Sequence, residues 1–164
     1  MTLEEKRMSQ LKPALRDILA IAFFILLGFQ PTLGNVKFKK GTINIGKVKL
    51  DAEFALTEEE QQVGLMNRTH IGENFGMLFI FENEEYRSFW MKNTFIDLSI
   101  AYIGANKKIL EIIDMKAIKS SLDTNTPSYP SSVKAMYALE VNQGWFKKNG
   151  IKVGDYLKTF SIRK

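Results

Sequence analysis

The chain contains no cysteine. That excludes disulfides, thiolate metal sites, cysteine nucleophiles and a lipid-bearing cysteine together, and leaves the redox compartment open. Histidine is almost as scarce. His70 stands alone, so no HxxxH or HxH pair exists to hold a metal, and no GxSxG elbow accompanies it. Long apolar runs are missing as well. The run from Ile18 to Phe29 is about twelve residues, against the ~20 that a membrane-spanning helix needs. There are no internal repeats and no low-complexity tracts. The net charge of +5 comes from scattered lysines and arginines, which predicts a solvated basic surface and no nucleic-acid partner.

What is present suits one folded domain. Hydrophobic residues make up 45% of the chain, including 12 Phe, enough for a proper core and against disorder. Residues 1–34 differ from the rest. A charged start with Lys6, Arg7, Lys12 and Arg16 precedes the apolar run, and Thr32 and Gly34 are small residues placed as at −3 and −1 of a cleavage site. This is the pattern of a signal peptide, or of an N-terminal membrane anchor if left uncleaved. The expected organisation is therefore a leader over 1–34 and one β domain over 35–164. The product is exported: periplasmic, secreted or anchored at the outer face of the inner membrane. Any membrane contact is through the leader alone.

Within 35–164 the period is mostly two. Val36 to Leu56 predicts two or three strands with a turn at Gly46, and Val48, Leu50, Ala52 and Phe54 alternate with Lys49, Asp51 and Glu53. Thr57 and Glu60 form a capping box that opens a short helix, expected to stop near Met66 with Gly64 inside it. Gly76 to Phe81 reads as a central strand buried on both faces, Glu82 to Arg87 as a charged connector, and Gly104 to Asn106 as a hairpin turn before the strand Lys108 to Met115. Ser120 to Ser132 reads as a long polar loop. Ala135 to Val141, a short turn or helix at Trp145 and Phe146, and a last strand Tyr156 to Ile162 complete the chain. Met66, Met77, Met91 and Met115 read as adaptable core filler. Many short strands with one or two short helices predict a mainly β fold, a compact sandwich or barrel.

The segment Ser88 to Ser99, SFWMKNTFIDLS, gathers most of the chemistry. Alternation puts Phe89 and Met91 on one face and Trp90 and Lys92 on the other. Asn93 and Thr94 break the pattern and predict a bend. Trp90 offers a stacking surface and Lys92 a cation beside it. Arg68, just past the helix, is a second cation. Glu140 lies in an otherwise apolar strand, where a carboxylate needs a partner, with Arg68 or Lys92 the natural ones. Asp155 after Gly154 most simply makes a turn, and could instead pair with Arg68.

Together GLMNR (Gly64 to Arg68), GMLFIF (Gly76 to Phe81), FWMKNT (Phe89 to Thr94), EIIDM (Glu111 to Met115), YALEV (Tyr137 to Val141) and GIKVGD (Gly150 to Asp155) resemble, in this order, the DUF192 family of small exported bacterial and archaeal domains. The resemblance covers nearly everything from Val48 onward. It implies a compact β-rich fold of jelly-roll type and no established reaction. Two positions depart from the family pattern: Asp97 stands where a Pro is usual and Ser99 where an Asp is usual. Two residues is one strand period, so Asp97 keeps the face but lies about 7 Å away.

These readings converge on a binding or accessory domain of the envelope, without cofactor or metal, acting as a monomer on a small polar ligand, anionic or carbohydrate-like. The candidate residues are Arg68, Trp90, Lys92 and Asn93, with Thr94, Asp97, Glu140 and Asp155. Two alternatives stand beside it. One is a hydrolase of an envelope polymer with Glu140 and Asp97 as paired carboxylates. The other is a structural partner of another envelope protein using Trp145 and Phe146. A shared hollow at the Asn93 bend favours the first reading, two facing carboxylates the second, a flat apolar patch the third.

Overall fold

The computed structural model describes residues 36–122 and 125–163; the predicted leader lies outside the described residues. The elements in order are β1 (Lys39–Ile45), β2 (Val48–Ala55), α1 (Glu58–Val63), β3 (Phe75–Trp90), β4 (Leu98–Ile103), β5 (Ile109–Met115), β6 (Ser128–Asn142), α2 (Trp145–Lys148) and β7 (Leu157–Ile162). The strands form a seven-stranded sheet in the order β5-β4-β6-β3-β2-β1-β7. β2 and β3 run parallel; the other neighbours are antiparallel. Parallel neighbours need a crossover, and α1 with its following loop supplies it. The fold is mainly β and sandwich-like, as the alternation predicts.

The sheet curls without closing into a barrel. Its two edge strands are linked by a single bridge, Lys108 to Tyr156, supported by Ile109 N–H to the Asp155 carbonyl (2.8 Å) and Leu157 N–H to the Lys107 carbonyl (2.9 Å). The curl brings Phe160 of β7 against Tyr137 of β6, ring centroids 6.2 Å apart. The inner side holds Ile43, Leu50, Phe54, Leu78, Leu139 and Leu157, closed at one end by Trp145 and Phe146 of α2. The outer side carries a second core of Met77, Phe79, Met91, Leu98, Ile100 and Met115, covered by the segments after α1, β3 and β5. Three of the four methionines read as filler are thus in that core.

Several local expectations change. The capping box forms: Thr57 Oγ1 accepts from Glu60 N–H, and the Glu60 carboxylate accepts from Thr57 N–H. The helix ends at Val63, and Gly64 is its C-cap at φ 47°, ψ −131°, a backbone region open essentially to glycine alone. Gly64 is therefore a stop and not an interior residue. Glu82 to Arg87 is not a connector but the middle of β3. From Ile80 to Glu85 β3 advances five residues while β6 advances two, Tyr137 to Ala135, so the extra charged residues bulge outward and the strand resumes beyond them. Ser128 to Ser132 likewise belongs to β6, with Ser128 opposite Trp90 and Pro130 opposite Ser88. Glu53, placed by alternation on a solvent face, is buried. That face of β2 is the one the outer core covers.

Candidate ligand-binding site

The FWMKNT segment behaves as its alternation predicts. Phe89 packs edge-on to Phe79 at 4.8 Å and to Tyr102 at 5.9 Å, and Met91 is buried. Trp90 points outward, 51% exposed, with the Lys92 ammonium 5.0 Å from its ring centroid. Asn93 takes φ 50°, which asparagine tolerates better than most residues. Its carbonyl accepts from Asn67 N–H at 2.7 Å, joining this bend to the loop after α1. Thr94 Oγ1 donates to the Lys92 carbonyl at 3.2 Å. Asn93 and Thr94 are turn-makers whose bonds fix two loops together.

Two hollows flank Trp90. A groove of about 400 Å³ runs between α1 and the end of β3, lined by Gln61, Phe81, Tyr86, Arg87 and Trp90 among others. Tyr86 is 64% exposed, and the Arg87 guanidinium lies 4.0 Å over the Phe81 ring. A narrow recess of about 30 Å³ shares Gln61, Gln62, Phe79, Phe89 and Trp90 with the groove and also reaches Thr94 and Glu140.

Glu140 is the unusual residue. It stands on β6 between Met77 of β3 and Ile100 of β4 and is 6% exposed. Burial among apolar neighbours disfavours its charged form and pushes its pKa up to about 8. Tyr102 shares this side of the sheet. Burial first, then the Glu140 charge and that of Glu111, hold its phenol above the usual range, and its hydroxyl donates to the Tyr129 carbonyl at 2.6 Å.

The other predicted residues lie elsewhere. Arg68 does not meet Glu140 or Asp155; its Nη2 is 2.5 Å from Glu53 Oε2, and its guanidinium lies 5.7 Å from the Phe38 ring. Glu53 was the partner that β2 alternation concealed. Asp97 accepts from Ala117 N–H at 2.8 Å and from Lys116 Nζ at 2.9 Å. These bonds hold its carboxyl below the ordinary range, the backbone one contributing most. It does not line the recess. Asp155 Oδ2 accepts from Lys152 N–H at 2.8 Å and so makes its turn. Ser99, at the position where the family usually has an acid, donates to Asp114 Oδ1 at 2.5 Å across the strand pair and accepts from Gly144 N–H. Trp145 and Phe146 are buried, so they provide no exposed patch. The structure therefore brings Trp90, Thr94 and Glu140 together, keeps Lys92 on the outer face of Trp90, and places Arg68, Asp97 and Asp155 in separate structural bonds. Sequence reading missed Phe81, Tyr86 and Arg87. The alternation of aromatics from Phe79 through Phe81 to Phe89 was the available signal, hidden by the charged bulge.

A curled, mainly β domain with an aromatic groove and an acid beneath it is the class these observations define. The chain belongs to the DUF192 family, described as an uncharacterized ACR, whose model matches residues 41–159. Among solved structures it is similar to a Sinorhizobium meliloti 1021 protein proposed to be a transcription regulator, with 26% identity, TM-score 0.66, and coverage of 79% of this chain and 98% of that one. It is also similar to a protein of unknown function from Novosphingobium aromaticivorans DSM 12444, with 28% identity, TM-score 0.62, and coverage of 79% and 90%. No curated protein matches the chain.

Proposed function

We propose that this domain binds a small polar, carbohydrate-like ligand in the groove beside Trp90, without catalysing a reaction. The observation that carries the reading is the groove itself. Two exposed aromatics, Trp90 and Tyr86, flank a concave surface whose polar groups come from Gln61, Gln62, Glu58 and Arg87. Sugar rings stack on such side chains through their apolar faces while amides and carboxylates bond to their hydroxyls. An anionic ligand is the weaker version. Arg68 is neutralised by Glu53, and Arg87 is engaged with Asn83 Oδ1 at 2.7 Å and the Ala135 carbonyl. The leader pattern supports placing the domain outside the cytoplasm, where envelope glycans are met.

Trp90 is a built-in reporter, because Trp145, the other tryptophan, is buried. Titration with cellobiose, chitobiose and N,N′-diacetylchitobiose should shift and quench tryptophan emission in the wild type and leave Trp90→Ala unchanged. Emission insensitive to all three sugars, with the protein folded by circular dichroism, overturns the carbohydrate reading.

A further inference from the structure

Among the described residues five polar or charged ones are buried: Glu53, Thr94, Ser99, Ser131 and Glu140. Four are satisfied: Glu53 by Arg68, Thr94 by the Lys92 carbonyl, Ser99 by Asp114, and Ser131 by Arg87 N–H and the Val133 carbonyl. Glu140 has neither hydrogen bond nor ion pair among the described residues, although a buried carboxyl is the costliest of the five to leave alone. It is not sealed in. No described side-chain nitrogen or oxygen that is fully shut off from solvent lacks a partner, so the Glu140 carboxyl keeps an opening, and the recess is where it opens.

The recess has a definite size and chemistry. One water needs about 10–15 Å³ of such space; about 30 Å³ is present. A head group of one heavy atom fits, and a quaternary ammonium or a sulfonate does not. Phe79, Phe89 and Trp90 wall it, and aromatic faces attract cations. Thr94 already donates its hydroxyl hydrogen elsewhere. Gln61 donates an amide hydrogen to the Ile80 carbonyl at 2.8 Å, which leaves its amide oxygen as an acceptor. An acid, three aromatic walls and an amide oxygen match a group with three donors and a positive charge.

We infer that the recess receives a primary ammonium group, so that the ligand of the groove is an amine such as an amino sugar; this rests on the groove reading above. The proton balance follows from the acid's burial. Below a pH of about 8 the free protein holds Glu140 protonated. An arriving ammonium converts the carboxylic acid to a carboxylate paired with the cation, and the acid's proton leaves to solvent. For an amine that stays protonated over this range, as n-propylammonium does, binding therefore releases one proton, and affinity climbs with pH until Glu140 is already ionised. The charged and titratable groups around it do not reverse this. Tyr102 of β4 stays neutral over that range, Glu58 of α1 lies in the groove, Lys92 stands outside on Trp90, and Arg68 is paired.

The test is the carbon-13 signal of the Glu140 carboxyl in the full chain, followed against pH with n-propylammonium, n-propanol or tetramethylammonium added. Saturating n-propylammonium should lower the midpoint by at least one pH unit, while the alcohol and the quaternary ion leave it in place. Glu140→Gln should abolish the n-propylammonium effect on Trp90 and Thr94 amide signals. An unmoved midpoint with n-propylammonium, or an equal response to either control, overturns the inference. The two readings fail separately. Sugars that quench Trp90 with no ammonium effect on Glu140 leave the groove and remove the amine. An ammonium effect with no sugar response leaves the amine site and removes the carbohydrate.

Discussion

At the scale of single residues, Glu140 opposes function to stability. In the unfolded chain its carboxyl titrates near the ordinary 4.5; in the fold burial raises this to about 8. Between those pH values the unfolded chain has lost the proton and the folded one has kept it. The native state then binds more protons, so its stability falls as pH rises through that window and is level below and above it. The gap corresponds to about 5 kcal/mol. Glutamine has nearly the same shape and no charge. Glu140→Gln should therefore be close to wild type in urea denaturation at pH 4.5 and more stable by several kcal/mol at pH 8.5. Other titrating groups, Asp97 included, cancel in the difference. A difference independent of pH means that Glu140 is ionised in the fold or already satisfied. The sequence showed that an acid lay in an apolar strand; it did not show that the acid lacked a partner. Arg68 or Lys92 was the expected one, but Glu53, on the covered face of β2, holds Arg68 at 2.5 Å, and Lys92 lies over the Trp90 ring. Local patterns such as Thr94 and Asp155 were legible because their side-chain bonds run within a few residues.

Elements were legible where capping chemistry or strict alternation marked them, and less so where tertiary contacts overrode local rules. Gly64 shows the difference. Inside a helix, glycine to alanine stabilises by about 1 kcal/mol. At φ 47° with the Phe79 ring 3.3 Å from the position of a Cβ, Gly64→Ala should instead destabilise the domain by about 1–3 kcal/mol, read as a lower urea midpoint. A raised midpoint restores the interior-helix reading. The same contact holds α1 close over Phe79 and so sets one wall of the recess. β3 was split in the sequence reading because its bulge carries Glu82, Asn83 and Glu84, residues that rarely belong in a strand centre. The bulge is held in part by partners remote in sequence: Glu84 Oε1 accepts from Ala105 N–H at 2.7 Å, and Arg87 Nε donates to the Ala135 carbonyl at 3.3 Å. Neither bond has a local signature.

For the whole molecule, alternation was enough for a mainly β domain, but strand order is a non-local property. β3 and β6 form the longest pairing, with Met77 opposite Glu140, and no rule of sequence proximity selects that pair. Strand order also fixes where the sheet is weakest. β6, β3 and β4 are paired on both sides, and their amides lie between two cores. β5 and β7 share one bridge, so opening that seam breaks few bonds. Local openings of this kind cost less than global unfolding. Hydrogen exchange should therefore rank the seam amides of Ile109, Gly154 and Leu157 well below those of Leu78, Leu139 and Ala101. The seam amides should also keep that lower protection when n-propylammonium is bound, because the recess lies on the outer core against β3 and β6 and not across the seam. Seam amides as protected as Leu139 would mean that the curled sheet opens only as one cooperative unit, with the single bridge carrying far more than its bond count implies.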